Sequence, residues 1–318
     1  MTIAGSSLTN VSRSTSMRCA ALLPTDMIPL IPILKLLRPQ QWVKNAFVLL
    51  PLFFSQRMNE VRLLLVTLTA AVVFSLSASA VYCLNDILDR EADARHPSKC
   101  RRPIASGAVS VPAGWCACAV CVCAAIALTW WLLPANVLWL MVAYLALNVC
   151  YSLWLKHVSL VDVLVVAVFY VMRVEAGALT GDIALSQWIV VMTFLLALFL
   201  VLGKRRDDVM LKAEGGKAVR RGAANYNLEF INMALTMVAT VTIVAYLMYT
   251  ISDEVTARLG NHHIYCTAVF VLAGILRYLQ LTLVENQSGS PTRVLGRDRF
   301  IQACVAGWLL AFIFIIYV

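Results

Sequence analysis

Long apolar runs constrain what this chain can fold into more than any other feature. Hydrophobic residues make up 61% of its 318 residues and charged residues only 14%, a balance typical of membrane proteins. Because a helix needs about 20 apolar residues to cross a bilayer, the runs predict an all-α polytopic bundle of about nine transmembrane helices. The predicted spans are 43–55, 61–84, 113–133, 136–155, 158–180, 187–203, 228–251, 263–284 and 300–318.

The beginning of the chain has a different composition from the rest. Residues 1–27 are rich in Ser and Thr and contain no long apolar run. We expect this tail to be disordered or interfacial, and we expect residues 28–318 to form a single transmembrane domain.

Basic residues are distributed unevenly over the predicted loops. With the N-terminus placed in the cytoplasm, 21 of the 26 Lys and Arg residues fall on the cytoplasmic side and three on the opposite side. The positive-inside rule therefore predicts a multi-pass protein of the cytoplasmic (inner) membrane with a cytoplasmic N-terminus. The same rule accounts for the net charge of +9, so the charge predicts no nucleic-acid partner.

The polar stretch NDILDREAD, residues 85–93, directly follows the second predicted span. Asn85, Asp89 and Asp93 recur at every fourth position, so a helix continued past the apolar run would align them on one face, with Asp86 beside them. Four such side chains would repel one another unless a hard cation lay among them. We therefore predict a metal–diphosphate site, with Mg²⁺, or Mn²⁺ in its place, held by Asn85, Asp89 and Asp93. The other interpretation is a solvated cap at the end of a membrane helix.

A basic stretch follows these acids and favours the first interpretation. Lys99, Arg101 and Arg102 come within a few residues of Asp93. Carboxylates and cations placed together suit a magnesium-bound polyphosphate better than either group does alone.

Other predicted helix ends on the cytoplasmic side carry polar side chains that can face the same cavity as the predicted metal–diphosphate site. For most of these residues the other interpretation is that they only anchor a helix, since Arg and Lys near a Trp commonly lie at the bilayer surface. Asp162 lies near the start of its predicted span and is a further candidate. The candidates for substrate binding are Arg38, Gln41, Lys44, Asn45, Tyr151, Lys156 and Asp162.

A second polar helix end follows the span 187–203. Lys204 and Asp208 are four residues apart and resemble the first polar stretch in their position, which predicts two halves closing over one pocket. We expect Arg205, Arg206 and Lys212 to belong to a solvated loop. Within the span 158–180, Arg173 and Glu175 are expected to make polar contacts between helices.

The ten cysteines predict neither a metal site nor a disulfide framework. Cys116, Cys118, Cys121 and Cys123 fall within one predicted span, without His or acidic neighbours. Buried Cys side chains behave as small hydrophobic groups.

The motifs resemble those of the UbiA superfamily of intramembrane prenyltransferases. The signature NDxxDxxxD is matched by Asn85, Asp86, Asp89 and Asp93, and the helix order is similar over nearly the whole chain after about residue 30. The segments LRPQQWVKN and HPSKCRRPIASG are most similar to the polyprenyl-phosphate phosphoribosyltransferase branch. The resemblance implies a UbiA-like bundle with a cytoplasmic-side cavity, in which the polar residues of both motifs, including Lys204 and Asp208, are catalytic.

One departure from the ordinary prenyltransferases bears on the substrate. Their second motif has two aspartates four residues apart, whereas this chain has Lys204 and Asp208. A Lys suits a donor that carries an extra 5-phosphate. The resemblance thus implies transfer of 5-phosphoribosyl from 5-phosphoribosyl 1-diphosphate to a polyprenyl, decaprenyl-like phosphate, with release of diphosphate.

Two other functions stay open from the sequence. One is the transfer of a prenyl group from a prenyl diphosphate to an aromatic acceptor, and a more remote one is non-enzymatic lipid transport. The expected partners are a lipid-phosphate acceptor, the phosphoribosyl diphosphate donor and membrane lipids, and the sequence is compatible with a homo-oligomer.

Overall fold

The computed structural model describes residues 30–95, 99–213, 226–286 and 291–317, and these residues form helices and no strand. The tail 1–27 lies outside this part of the chain. The α-helices are α1 Leu30–Leu37, α2 Leu50–Phe54, α3 Val61–Leu88, α4 Arg90–Ala94, α5 Val111–Leu132, α6 Ala135–Leu153, α7 Val161–Gly181, α8 Gln187–Ala213, α9 Leu228–Ile251, α10 Asp253–Leu259, α11 Ala268–Leu283, α12 Pro291–Arg297 and α13 Arg299–Tyr317. A 3₁₀ helix, Pro39–Leu49, connects α1 to α2.

Seven helices in the described ranges are long and apolar enough to cross a membrane. They are α3, α5, α6, α7, α8, α9 and the segment Ile264–Leu283 that includes α11, and each corresponds to a predicted span. The last predicted span is a shorter apolar helix, Arg299–Ile315. The first, 43–55, is instead divided between the 3₁₀ helix and the five residues of α2. The all-α prediction is confirmed, and the exact count of nine stays a prediction.

Helix α3 is the most buried of the seven long helices, and one stretch of it is rich in small residues. Ser75, Ser77, Ala78, Ser79 and Ala80 are all buried. Small side chains let neighbouring helices approach closely in a membrane. The Ser75 hydroxyl donates to the Ala71 carbonyl at 2.7 Å, so this buried polar group is satisfied within its own helix.

Exposed tryptophans mark both ends of the bundle. Trp130, Trp131 and Trp139 lie around the α5–α6 turn and are more than 70% exposed, while Trp115 and Trp154 lie at the opposite ends of these helices. Trp is enriched where membrane proteins meet the bilayer surface. The end of α3 that carries the acidic residues is on the side of Trp115 and Trp154, because α5 runs antiparallel to α3.

Gly177 fixes the approach of α7 to the 3₁₀ helix. A Cβ atom at this position would overlap the backbone carbonyl of Val48. Backbone atoms cannot move aside as the end of a flexible side chain can, so the two elements pack this closely only with glycine here.

We expect Gly177→Ala to destabilise the protein by roughly 1–3 kcal/mol, the usual cost of overpacking a close contact. The control is Gly296→Ala, whose added Cβ meets no atom within 4 Å. Melting temperatures of both variants in detergent test this, and equal values would contradict the close approach.

Candidate active site at the acidic end of the bundle

The acidic stretch keeps its helical register although α3 ends at Leu88. Asp89 has a non-helical ψ of 5°, and α4 begins at the next residue. Across this break the Asp89 amide donates to the Asn85 carbonyl at 2.9 Å, and the Asp93 amide donates to the Asp89 carbonyl at 2.8 Å. Asn85, Asp89 and Asp93 therefore remain spaced by one helical turn each.

Each carboxylate of this stretch is paired with a cation. Arg38 donates to Asp86 at 2.7 Å, and Lys156 donates to Asp89 at 2.9 Å. Arg102 reaches Asp93 at 2.6 Å and Asp86 at 3.3 Å. The three cations come from three separate parts of the chain, namely the start of the 3₁₀ helix, the loop after α4 and the turn after α6, and they converge on the acids. We call Asp86, Asp89, Asp93 and these three cations the acid cluster.

Burial decides between a functional site and a solvated cap. Asp86 is 1% exposed and Asp93 is 3% exposed. Acids that merely cap a membrane helix would face water, because burial of a charge is costly without a partner. The structure therefore disagrees with the solvated-cap interpretation.

The acid cluster fits a hard divalent cation in its chemistry. All its candidate ligands are oxygens, which Mg²⁺ prefers. The Oδ2 atom of Asp86 is buried without a hydrogen-bond partner in the structure, so it can still accept a ligand. Among the described residues no three His, Cys, Asp or Glu side chains converge on one point. A bound ion would thus take part of its coordination from water and substrate oxygens, as Mg²⁺ commonly does.

A second charged cluster lies between α7 and α8. Arg205 bridges Asp162 at 2.6 Å and Asp208 at 2.8 Å, and its guanidinium lies 3.4 Å from the Tyr151 hydroxyl. Tyr226 donates to Asp162 at 3.0 Å. Burial raises the pKa of Tyr226 to about 12, so its hydroxyl is protonated at neutral pH and can donate.

The expectation of a solvated loop at this point is wrong for two of its three residues. Arg205 and Arg206 are 3% and 4% exposed. The physical reason is that α8 continues to Ala213, ten residues past the predicted span, so these residues lie on a helix that packs inward. Arg206 bonds to Asn232 and Asn286. The side chain of Lys212 lies outside the described part of the chain.

A cavity of about 780 Å³ joins both clusters to the interior of the bundle. Its polar part is lined by Arg38, Gln41, Lys44, Tyr82, Asn85, Asn148, Tyr151, Arg173, Lys204 and Arg205. Its apolar part lies between α2, α8, α9, α11 and α13, and its lining includes Phe54, Trp188, Met192, Leu196, Phe270 and Trp308. The cavity thus has one charged end and one long apolar end.

The 3₁₀ helix supplies one continuous wall of this cavity. Gln41, Lys44 and Phe47, followed by Leu50 at the start of α2, all line it and are spaced by three residues. A 3₁₀ helix has three residues per turn, so such positions are eclipsed on one face. An α-helix would rotate each of them by about 60° relative to the last. This geometry produces a wall that changes from polar to apolar along its length.

A family comparison agrees with this architecture. A model of the UbiA prenyltransferase family matches residues 46–210, just over half of the chain. The chain belongs to the UbiA prenyltransferase family. Family membership and the seven long apolar helices make it an integral membrane protein.

Relatives of this UbiA protein include two with the same curated description. A decaprenyl-phosphate phosphoribosyltransferase of Mycobacterium tuberculosis is 34% identical over 87% of this chain and 91% of the relative. Its counterpart in Corynebacterium glutamicum is 29% identical over 90% of this chain and 87% of the relative. A solved UbiA homologue from Archaeoglobus fulgidus, bound to GPP and Mg²⁺, matches with a TM-score of 0.65 at 17% identity, over 90% of this chain and 100% of that one. That likeness shows the UbiA fold.

The structure places the predicted site residues of this UbiA protein in three environments. Those that line the cavity are Arg38, Gln41, Lys44, Asn85, Tyr151 and Lys204. Those in ion pairs at or behind its charged end are Asp86, Asp89, Asp93, Arg102, Lys156, Asp162 and Asp208. Asn45 is buried and bonds to Ser75 and Arg173, and Arg101 is exposed outside the cavity. Lys99 begins a short 3₁₀ turn after α4.

The sequence did not predict several residues of the cavity wall. Tyr82, Asn148 and Arg205 were not among its candidates, and Arg173 was expected only to connect helices. Arg173 does make contacts between helices, since it donates to Asn45 and to Tyr144. The signal in the sequence that places Arg173 at the cavity is its charge inside an apolar span, since such residues usually face a partner or an aqueous cavity.

Proposed function

We propose that this UbiA protein transfers the 5-phosphoribosyl group of 5-phosphoribosyl 1-diphosphate to a polyprenyl, decaprenyl-like phosphate. The observation that carries the proposal is that one cavity has a charged end continuous with an apolar end. This shape suits an acceptor with an anionic head and a hydrocarbon chain. The relatives named decaprenyl-phosphate phosphoribosyltransferase, which align over most of the chain, support the same reaction.

The proposed reaction is a displacement at the anomeric carbon of the donor. An oxygen of the lipid phosphate forms a bond to this carbon, while the bond from the carbon to the diphosphate oxygen breaks and the diphosphate leaves with the electron pair. The lipid phosphate is already ionised at neutral pH, so the step requires no strong general base. Among the residues that the structure describes, the polar wall of the cavity contains no His, which agrees with a step that needs no strong general base.

Asn85, Asp89 and Asp93 would hold the divalent cation, with Asp86 beside them. When bound, Mg²⁺ neutralises the diphosphate and so assists its departure. In the structure the carboxylates are neutralised instead by Lys156, which pairs with Asp89, and by the two arginines of the acid cluster. These cations are the groups that can turn to the donor phosphates once the carboxylates bind a metal.

Lys204 would bind the remaining donor phosphate. It lines the cavity at the position where ordinary family members have an aspartate. Arg205 and Asp208 position the helix that carries it, through the ion pairs described above.

The two alternatives from the sequence have less support. Prenyl transfer to an aromatic acceptor would use the same acid cluster, but Lys204 stands where a second metal ligand would be needed. A transporter would need its charged groups near the bilayer midplane, whereas the acids lie at the end of α3.

The site would face the cytoplasm across the inner membrane, with the N-terminus on the same side. The partition of 21 basic residues against three supports this orientation. The partners would be the lipid phosphate, the soluble donor and membrane lipids, and Mn²⁺ would be able to replace Mg²⁺.

We expect activity to require Mg²⁺ or Mn²⁺, and we expect Asp89→Ala or Asp93→Ala to lower kcat by more than about 100-fold, because each removes a metal ligand. Glu91→Gln is the matched control, since Glu91 lies between these residues and its side chain is 78% exposed. Turnover is measured on purified protein with and without EDTA. Full activity in EDTA would contradict the metal site.

We expect Lys204→Ala to raise the KM for the phosphoribosyl donor by about tenfold or more, because it removes a charge-assisted contact to a phosphate. The KM for the lipid phosphate should change far less. Lys204→Asp should be worse than Lys204→Ala, since it places a carboxylate against the phosphate. If Asp were tolerated better than Ala, the position would serve a metal, and the prenyl-diphosphate alternative would gain.

A further inference from the structure

Two cations in the cavity wall make no ion pair with an acid in the described part of the chain. Lys44 and Arg173 both line the cavity, and neither forms an ion pair with a described carboxylate. Glu175, the nearest acid along α7, is half-buried and likewise makes no ion pair with the residues described. The acid cluster differs in this respect, because every cation there has a carboxylate within 3.3 Å.

Arg173 is buried, and its neighbours fix its orientation. It is 6% exposed, and its guanidinium donates to the side chain of Asn45 at 2.7 Å, to the Phe169 carbonyl and to the Tyr144 hydroxyl at 2.9 Å. A guanidinium has five N–H donors, so these three contacts leave others for a ligand. A buried cation whose protein partners are all neutral is costly unless an anion neutralises it.

The two cations lie where the cavity changes from polar to apolar. Phe47, one 3₁₀ turn after Lys44, packs edge-on against Tyr170 with ring centroids 5.1 Å apart. The Arg173 guanidinium lies 5.3 Å from the centroid of the same Tyr170 ring. An aromatic layer therefore borders the cations, and beyond it the cavity wall continues with Leu50 and Phe54.

The backbone of Lys44 also lies apart from that of Arg38, the nearest residue of the acid cluster along the chain. Lys44 follows Arg38, the partner of Asp86, by two turns of the 3₁₀ helix, which is about 12 Å along its axis. An amphiphile that places its chain in the apolar part of the cavity must place its head at the boundary between the two parts. The head of the lipid therefore falls beside Lys44 and Arg173, and the diphosphate of the donor falls nearer to the acids.

We propose that Lys44 and Arg173 bind the phosphate of the lipid acceptor in a subsite separate from the metal–diphosphate site. The identity of the acceptor rests on the function proposed above, and the subsite itself rests on the two acid-free cations. Asn45 is a positioning residue in this account, since it bonds to Arg173 on one side and to Ser75 of α3 at 2.8 Å on the other. The fork of Arg173 suits two phosphate oxygens, and the ammonium of Lys44 neutralises the remaining charge.

The test compares a polyprenyl monophosphate with the polyprenol of the same chain length. Binding of each to the purified full-length protein is measured by the rise in melting temperature, in EDTA and without donor, so that no metal can bridge the phosphate. We expect wild-type protein to be stabilised more by the phosphate than by the alcohol. Lys44→Met should lose this difference and retain the stabilisation by the alcohol, because the apolar part of the cavity is unchanged.

Two further variants separate binding from folding. Lys35→Met is the matched control, since Lys35 is exposed on α1 outside the cavity, and it should behave as wild type. Arg173→Lys keeps the charge but loses the fork, and it should weaken binding of the phosphate less than Lys44→Met does. In turnover assays, Lys44→Met should raise the KM for the lipid phosphate by about tenfold or more and that for the phosphoribosyl donor by less than about twofold.

Three results would overturn the inference. They are an unchanged phosphate preference in Lys44→Met, a loss of binding for the alcohol and the phosphate alike, and a KM effect confined to the phosphoribosyl donor. Failure of the proposed function is distinguishable, because the binding comparison uses no donor. If wild-type protein bound the lipid phosphate through Lys44 but did not use the phosphoribosyl donor, the subsite would stand and the reaction would be wrong.

Discussion

The need to neutralise buried charge determines how this end of the bundle is assembled. Asp86, Asp93 and Asp162 are each no more than 3% exposed. Charges buried this deeply at the end of membrane helices are tolerated only with partners. Their partner Arg38 immediately precedes the 3₁₀ helix, Arg102 lies in the loop after α4, and Arg205 lies in α8. The ion pairs therefore join parts of the chain that are far apart in sequence, and the cavity forms between them.

The same constraint connects structure to catalysis. The carboxylates that suit a metal and the cations that suit phosphates neutralise each other in the structure, so neither group is buried without a partner. A metal-bound diphosphate offers the complementary charges to both groups at once. Lys44 and Arg173 form no ion pair with a carboxylate in the described ranges, and this is why we assign them to a separate anion.

Local features of the sequence predict much of this fold. Seven apolar runs correspond to the long helices because burial in lipid requires continuous hydrophobicity. The fourfold spacing of Asn85, Asp89 and Asp93 predicts a register that the backbone keeps through the break after Leu88. The length of α8 was underestimated, because its polar last turns resemble a loop in composition although tertiary ion pairs hold Arg205 inward.

The parts that sequence does not predict depend on long-range contacts. Nothing in the local pattern distinguishes a 3₁₀ helix from an α-helix over Pro39–Leu49, although this choice aligns Gln41, Lys44 and Phe47 on one wall. The position of Arg173 in the cavity depends on how α7 packs against Val48 at Gly177. The pairing of each acid with a particular cation likewise depends on which loops converge.

We propose that the cavity brings a phosphoribosyl donor together with a lipid phosphate. The most direct measurement offers purified protein, with Mg²⁺, 5-phosphoribosyl 1-diphosphate and a polyprenyl phosphate in one reaction, and a prenyl diphosphate and 4-hydroxybenzoate in another. Mass spectrometry of the lipid fraction then identifies the product. We expect a lipid phosphate enlarged by one phosphoribosyl group in the first reaction and no prenylated ring in the second. A prenylated ring without any phosphoribosylated lipid would contradict the proposal.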